Sequence, residues 1–106
     1  MDMFKRLRRL LESQSLITER WGISKMRPTL RRDGLMFWVN CTRFEGLIKI
    51  RCCDNDGTYR IIYSPCDKDE VIEQKNVMER DIVNVIAKEI GQSRVFLDYL
   101  FDLYLI

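Results

Sequence analysis

The chain of 106 residues contains no histidine. This absence excludes histidine-based acid–base catalysis, a Ser-His-Asp triad and histidine metal ligands. The five glycines are scattered, so no glycine-rich phosphate loop is present. We therefore expect a protein that is not an enzyme, with no catalytic residues and no cofactor or small-molecule substrate.

Long apolar runs and a secretory signal are also lacking. No stretch of about 18 apolar residues is present, so no transmembrane helix is predicted. The N-terminus is charged and amphipathic, without the apolar core of a signal peptide. These features predict an intracellular, cytoplasmic protein formed by a single domain over residues 1–106. The basic helix at the start has no second anchor signal, so membrane binding is not expected.

Cysteine is present at four positions, but not with the spacing of a metal site. Cys41, Cys52, Cys53 and Cys66 lack the paired C-x₂₋₄-C pattern of closed zinc sites. We expect reduced cysteines that act as small core residues, and no bound metal. Residues 54–57 read as a turn, because the calcium loop that they superficially resemble requires a distal glutamate.

Residues 35–64 carry the pattern around which the rest of the chain is organised. Polar Lys49 and Arg51 alternate with Ile48 and Ile50, as expected for strands with one buried face. Residues 58–64 alternate in the same way, and residues 35–42 are apolar on both parities. The stretch predicts three antiparallel strands joined by short turns.

The preceding residues predict helix and then an edge strand. Residues 2–21 have apolar residues at helical spacing, and Gly22 is placed to end that helix in a left-handed conformation. A break within residues 13–15 is the alternative to one continuous helix. Residues 24–31 are either a fourth, edge strand or a basic loop, and Asp33-Gly34 predicts a two-residue hairpin turn.

Two helical segments are predicted after the strands. Residues 67–90 carry an apolar stripe at helical spacing. Residues 95–106 are apolar except for Asp98 and Asp102, which are four positions apart. The predicted fold is α+β: a three- or four-stranded antiparallel meander packed by an N-terminal helix and a C-terminal helical pair.

The main functional hypothesis is a non-catalytic protein-interaction module. A helix that is apolar around most of its circumference requires burial in the core or against another chain. Residues 95–106 therefore predict an interface for a partner protein or a second copy, since buried aromatic residues dominate interface energies. Its expected anchors are Phe96, Tyr99, Leu100, Leu103 and Tyr104.

The alternative hypothesis is a nucleic-acid-binding sheet face. Basic side chains on the polar parity of several strands, with an exposed aromatic ring among them, are typical of single-strand binding. Lys25, Arg27 and Arg31 share one parity if residues 24–31 are a strand, with Phe37 or Trp38 as the ring. The candidate residues are Lys25, Arg27, Arg31, Lys49, Arg51, Arg60 and Trp38.

Charge is unevenly distributed along the chain. Residues 1–32 hold nine Lys/Arg and three Asp/Glu, whereas residues 67–106 hold five and nine. The asymmetry favours packing of the basic N-terminal segment beside the acidic C-terminal one, within a chain or between two copies.

Overall fold

The computed structural model of the chain describes residues 2–41, 43–53 and 57–91. Its elements in chain order are α1 (Met3–Ser13), α2 (Ser15–Thr18), a 3₁₀ turn (Glu19–Trp21), β1 (Ile23–Pro28), β2 (Gly34–Asn40), β3 (Glu45–Cys52), β4 (Tyr59–Pro65), β5 (Ile72–Val77), a second 3₁₀ turn (Glu79–Asp81) and helix α3, which begins at 82 and extends through 91. The α+β class and the antiparallel meander are confirmed. The strand count is five in the described part of the chain, not three or four.

The sheet has the order β1-β2-β3-β4-β5, and each strand pairs antiparallel with the next. Phe37 lies opposite Ile48, and Ile48 lies opposite Tyr63, so these side chains share one face. All three are fully buried. The helices and the first 3₁₀ turn add further residues to the core, beside those of the strands, namely Leu7, Leu11, Trp21, Ile82, Val83, Ile86 and Ile90.

The N-terminal helix is interrupted within residues 13–15, which is the predicted alternative to one continuous helix. Asp2 caps α1 by accepting a hydrogen bond from the Phe4 amide at 3.0 Å. The backbone leaves the helical region at Gln14, where φ is −117° and ψ is 42°. Gly22 follows the 3₁₀ turn with a φ of 64°, so the predicted left-handed end is confirmed.

The edge strand is confirmed, with different bounds. β1 covers Ile23–Pro28, and the remaining predicted strand residues belong to the connection before β2. The predicted two-residue turn at Asp33-Gly34 is wrong. The loop begins at Thr29, whose amide donates to the Gly34 carbonyl at 3.2 Å, and Arg32 takes the left-handed conformation with φ at 57°.

The predicted helix over residues 67–90 is wrong in its first half. Residues 72–77 form β5, and helical structure begins only after the second 3₁₀ turn. Tyr63 lies opposite Ile72, and Tyr59 lies opposite Val77. Pairing with the exposed edge of β4 therefore outweighs the local helical periodicity. The second predicted helix, residues 95–106, lies outside the described residues, as do residues 54–56 of the predicted turn at 54–57.

Candidate docking surface

The two faces of the sheet differ in what covers them. In the described ranges, the helices pack their buried apolar side chains against the face that carries Phe37, Ile48 and Tyr63. Met36, Trp38, Leu47 and Ile62 have the opposite parity and are not part of that core. Each of them is partly exposed. We call this second side the open face, defined by these four residues with Lys49, Arg51 and Arg60.

Strand register brings the apolar side chains of the open face together. Lys49 lies between Met36 on β2 and Ile62 on β4. Leu47 lies opposite Trp38, in the next row along the strands. Directly opposed residues on one face have Cβ atoms about 4.5–5.5 Å apart, so these residues form one patch across three strands.

Basic groups surround this patch. The Lys25 ammonium lies 6.0 Å from the centre of the Trp38 ring, within cation–π range. Arg27 lies opposite Met36 and is exposed, and Lys49 rises from the middle of the patch. None of these three cations forms an ion pair with a described residue. Three positive charges are therefore available to a ligand on the open face.

A bulge in β1 accounts for the position of Lys25. The register shifts between Ser24 and Arg27, and Lys25 takes a φ of 53°. The shift places Ser24 and Arg27, which are three residues apart, opposite Trp38 and Met36 on the open face, and Lys25 lies within the bulge beside the Trp38 ring. The predicted single parity for Lys25, Arg27 and Arg31 is therefore wrong, since Arg31 lies in the loop after β1.

Two further arginines of the open face are neutralised within the chain. Arg51 and Arg60 lie directly opposite each other, an arrangement of like charges that is unfavourable by itself. Arg51 Nε donates to Asp33 Oδ2 at 2.9 Å. Arg60 Nε lies 2.9 Å from Glu73 Oε1, an ionic contact whose angles are not those of a hydrogen bond. These two cations stabilise the sheet and are less available for binding.

Asp33 is the best-organised carboxylate beside the open face. Its burial favours the neutral form, but hydrogen bonds from the Thr29 hydroxyl at 2.6 Å and from Arg51 outweigh that effect. The pKa of Asp33 is consequently lowered from its ordinary value. Asp33 therefore remains charged at neutral pH and holds the β1–β2 loop against β3.

Trp38 is the ring that the open face presents. Phe37, the other aromatic candidate, is fully buried and stacks against Trp21 with ring centres 6.3 Å apart. The sequence reasoning did not single out Met36, Leu47 and Ile62 as partners of Trp38. The signal that identifies them is their shared parity with Lys49 and Arg60 once the strands are in register.

A second polar cluster joins α1 to β4 and to the second 3₁₀ turn. Arg6 contacts both carboxylate oxygens of Glu79, at 2.6 and 2.9 Å, and Tyr59 donates to the same carboxylate at 3.0 Å. Arg6 lowers the pKa of Glu79, and burial together with Glu79 raises the pKa of Tyr59 to about 12. The ion pair is one contact of the predicted kind between the basic N-terminal and acidic C-terminal segments.

The four cysteines differ in their exposure. Cys41 and Cys52 pack against the core, and Cys53 is partly exposed. Cys66 is exposed, so the prediction of a core role is wrong for this residue. Among the described residues, no three or more cysteine and acidic side chains are grouped closely enough to hold a metal ion.

A cavity of about 190 Å³ lies between the β2–β3 connection and the end of β4. Its lining includes charges of both signs, namely those of Arg43, Glu45, Lys68, Glu70 and Glu89. The Tyr63 hydroxyl beside it donates to Gln74 Oε1 at 2.6 Å. Burial first, and then the charge of Glu89, raises the pKa of Tyr63, which therefore stays protonated.

The anchors predicted in the C-terminal segment, Phe96, Tyr99, Leu100, Leu103 and Tyr104, lie outside the described residues. Of the helices that the structure describes, none has the length and apolar character needed to cross a membrane. The open face is the described surface best suited to binding, since it combines an apolar centre with free cations.

Compared with known proteins, the chain matches no protein-family model, no curated protein and no solved structure.

Proposed function

We propose that the protein is a non-catalytic protein-interaction module that self-associates, with the open face as its docking surface. The observation that carries this proposal is the patch of Met36, Trp38, Leu47 and Ile62 on the face that the described helices leave uncovered. Burial of apolar surface contributes about 25 cal/mol per Å², so a contiguous apolar patch favours contact with a protein.

The positive charge around the patch favours a partner that carries acidic side chains. Lys25, Arg27 and Lys49 have no carboxylate partner among the described residues. An apolar helix with acidic side chains along one edge would cover the patch and pair with these cations. Such pairs add orientation and discrimination more than affinity, because ion pairs at an interface rim remain hydrated.

The first test places a charge at the centre of the patch. We expect Leu47→Glu to weaken self-association at least about tenfold, since the variant loses an apolar contact and must also desolvate a carboxylate when the interface forms. Sedimentation velocity over a range of concentrations measures the effect. Leu16→Glu is the matched control, because Leu16 lies on α2 and is 85% exposed.

Two results would contradict the proposal. One is a native protein that stays monomeric at all concentrations, and the other is equal association of the Leu47→Glu and Leu16→Glu variants. Far-ultraviolet circular dichroism checks that each variant is folded. Trp38→Ala repeats the test at a second position of the open face if Leu47→Glu fails to fold, because it removes the largest apolar side chain of the patch.

Single-stranded nucleic acid is the second candidate ligand. The observation that favours it is the position of three free cations around an aromatic ring, the arrangement used to hold bases and phosphates. If all three cations contact phosphates, the logarithm of affinity for oligo(dT) falls with log salt with a slope of about 2. The triple variant K25Q/R27Q/K49Q would then lose both the affinity and the salt dependence. An affinity for oligo(dT) that does not change with salt concentration would reject this candidate.

A further inference from the structure

The chain itself contains a segment with the chemistry that the open face requires. Residues 95–106 are apolar apart from Asp98 and Asp102. We propose that this segment of one copy binds as a helix across the open face of a second copy, and that the second copy reciprocates. The inference rests on the proposed self-association and names the contact that produces it.

The dimensions of the two surfaces agree. A helix of 12 residues is about 18 Å long, at 1.5 Å per residue. The strands β1 to β4 are spaced about 4.8 Å apart, so the open face measures about 14 Å from the first to the last. A helix laid across the strands would therefore cover Trp38, Leu47 and Ile62 together.

Charge complementarity gives the contact an orientation. Asp98 and Asp102 are four residues apart, so they lie on the same side of a helix. The free cations lie on β1 and β3, where Arg27 and Lys49 flank Met36 on β2. Apolar residues of the segment would then face the patch while its two carboxylates approach these cations.

The reach of the chain argues for a second copy. Ile90 of α3 is buried in the core on the helix-covered face, and the described chain extends to Gly91. Four residue steps from 91 to 95 span at most about 14 Å. Helices on opposite faces of a sheet lie about 20 Å apart, because each layer packs roughly 10 Å from the next. This comparison of distances favours docking of the segment on the open face of a second copy over docking on its own chain.

Reciprocal exchange predicts complementation between two inactive variants. Leu47→Glu blocks the open face, and Leu100→Glu blocks the segment. We expect each variant alone to be monomeric, since neither homodimer retains an intact contact. A mixture retains one of the two contacts, because the segment of the first variant can bind the face of the second. Fluorescence-detected sedimentation of labelled Leu47→Glu protein, with unlabelled Leu100→Glu protein in excess, should reveal a heterodimer weaker than the native dimer.

Each other outcome overturns the inference in a recognisable way. If Leu100→Glu associates as tightly as the native chain while Leu47→Glu does not, the proposed docking face stands and its occupant is wrong. If both variants are monomeric and the mixture forms no heterodimer, the segment does not bind the open face of another copy. A native protein that stays monomeric contradicts the proposed self-association itself. In that case, increased acrylamide quenching of Trp38 in Leu100→Glu would assign the segment to its own chain.

Discussion

Asp33 joins the β1–β2 loop to β3 through its side chain and its carbonyl group. Its carboxylate accepts from Thr29 in the loop and from Arg51 on β3, and its carbonyl accepts from the Cys52 amide at 2.8 Å. Its side chain is only 20% exposed. Partly buried, charge-assisted hydrogen bonds of this kind stabilise more than exposed ion pairs do. The loop geometry therefore depends on the charge of this residue.

The stability of the protein should reflect that charge. Because the pKa of Asp33 is lower in the folded chain than its ordinary value of 3.8, the ionised form stabilises the fold above that value. The contribution is lost as pH falls below 3.8 through the folded-state pKa. Asp33→Asn should cost about 1 kcal/mol at pH 7 and progressively less in acid.

Urea denaturation at several pH values measures this difference. Asp69→Asn is the control, because Asp69 is exposed and has no hydrogen bond or ion pair within the part of the chain that the structure describes. A destabilisation by Asp33→Asn that stayed constant from pH 7 to below pH 3.8 would show that its charge is not what holds the loop.

The alternation of side chains along the strands could be predicted from the sequence. In β2, however, the sequence did not show which of the two alternating sets of side chains is buried. Phe37 and Trp38 are adjacent and both aromatic, so the alternation alone did not say which ring is buried. The register resolves the choice by placing Phe37 opposite Ile48. In β3 the choice was clear, because Lys49 and Arg51 cannot enter a core unpaired.

At the scale of elements, β5 shows how strand pairing competes with helical periodicity. Val71 and Met78 belong to the predicted helical stripe, yet they are 59% and 45% exposed. Local spacing does not reveal that β4 offers an unpaired edge, because that edge exists only in the folded sheet. The central strands were predictable because their alternation is itself the consequence of a sheet with one covered face.

The bulge near the end of β5 gives a testable consequence. Register shifts between Tyr59 and Ile61 of β4, and Asn76 opposite this region has a φ of 59°. Asparagine and glycine tolerate this conformation, whereas β-branched residues do not. We expect Asn76→Val to cost about 1–2 kcal/mol and Asn76→Gly to change stability by less than about 0.5 kcal/mol.

Chemical denaturation of the two variants separates backbone conformation from side-chain effects. Lys75→Val is the matched control, since it introduces the same side chain one residue earlier, where φ is negative. Equal losses at positions 75 and 76 would mean that the left-handed conformation of Asn76 does not set the end of β5.

At the scale of the whole molecule, the sheet separates two kinds of surface. One side holds the core under the helices, where Arg6 and Glu79 join the first and last thirds of the described chain. The other side presents an apolar centre among cations. The amphipathic sheet and its helical cover were predictable from periodicity, but the patch on the open face required the register of three strands.

Solvent access to Trp38 tests the central claim most directly. Acrylamide quenching of tryptophan fluorescence is measured as the protein is diluted, with Trp38→Phe as the control that leaves only Trp21, which is 4% exposed. We predict that quenching of the native protein rises several-fold on dilution as the docked surface separates, while the control stays weakly quenched throughout. Quenching of Trp38 that is independent of concentration, in a sample that sedimentation shows to associate, would place the interface elsewhere and contradict the account.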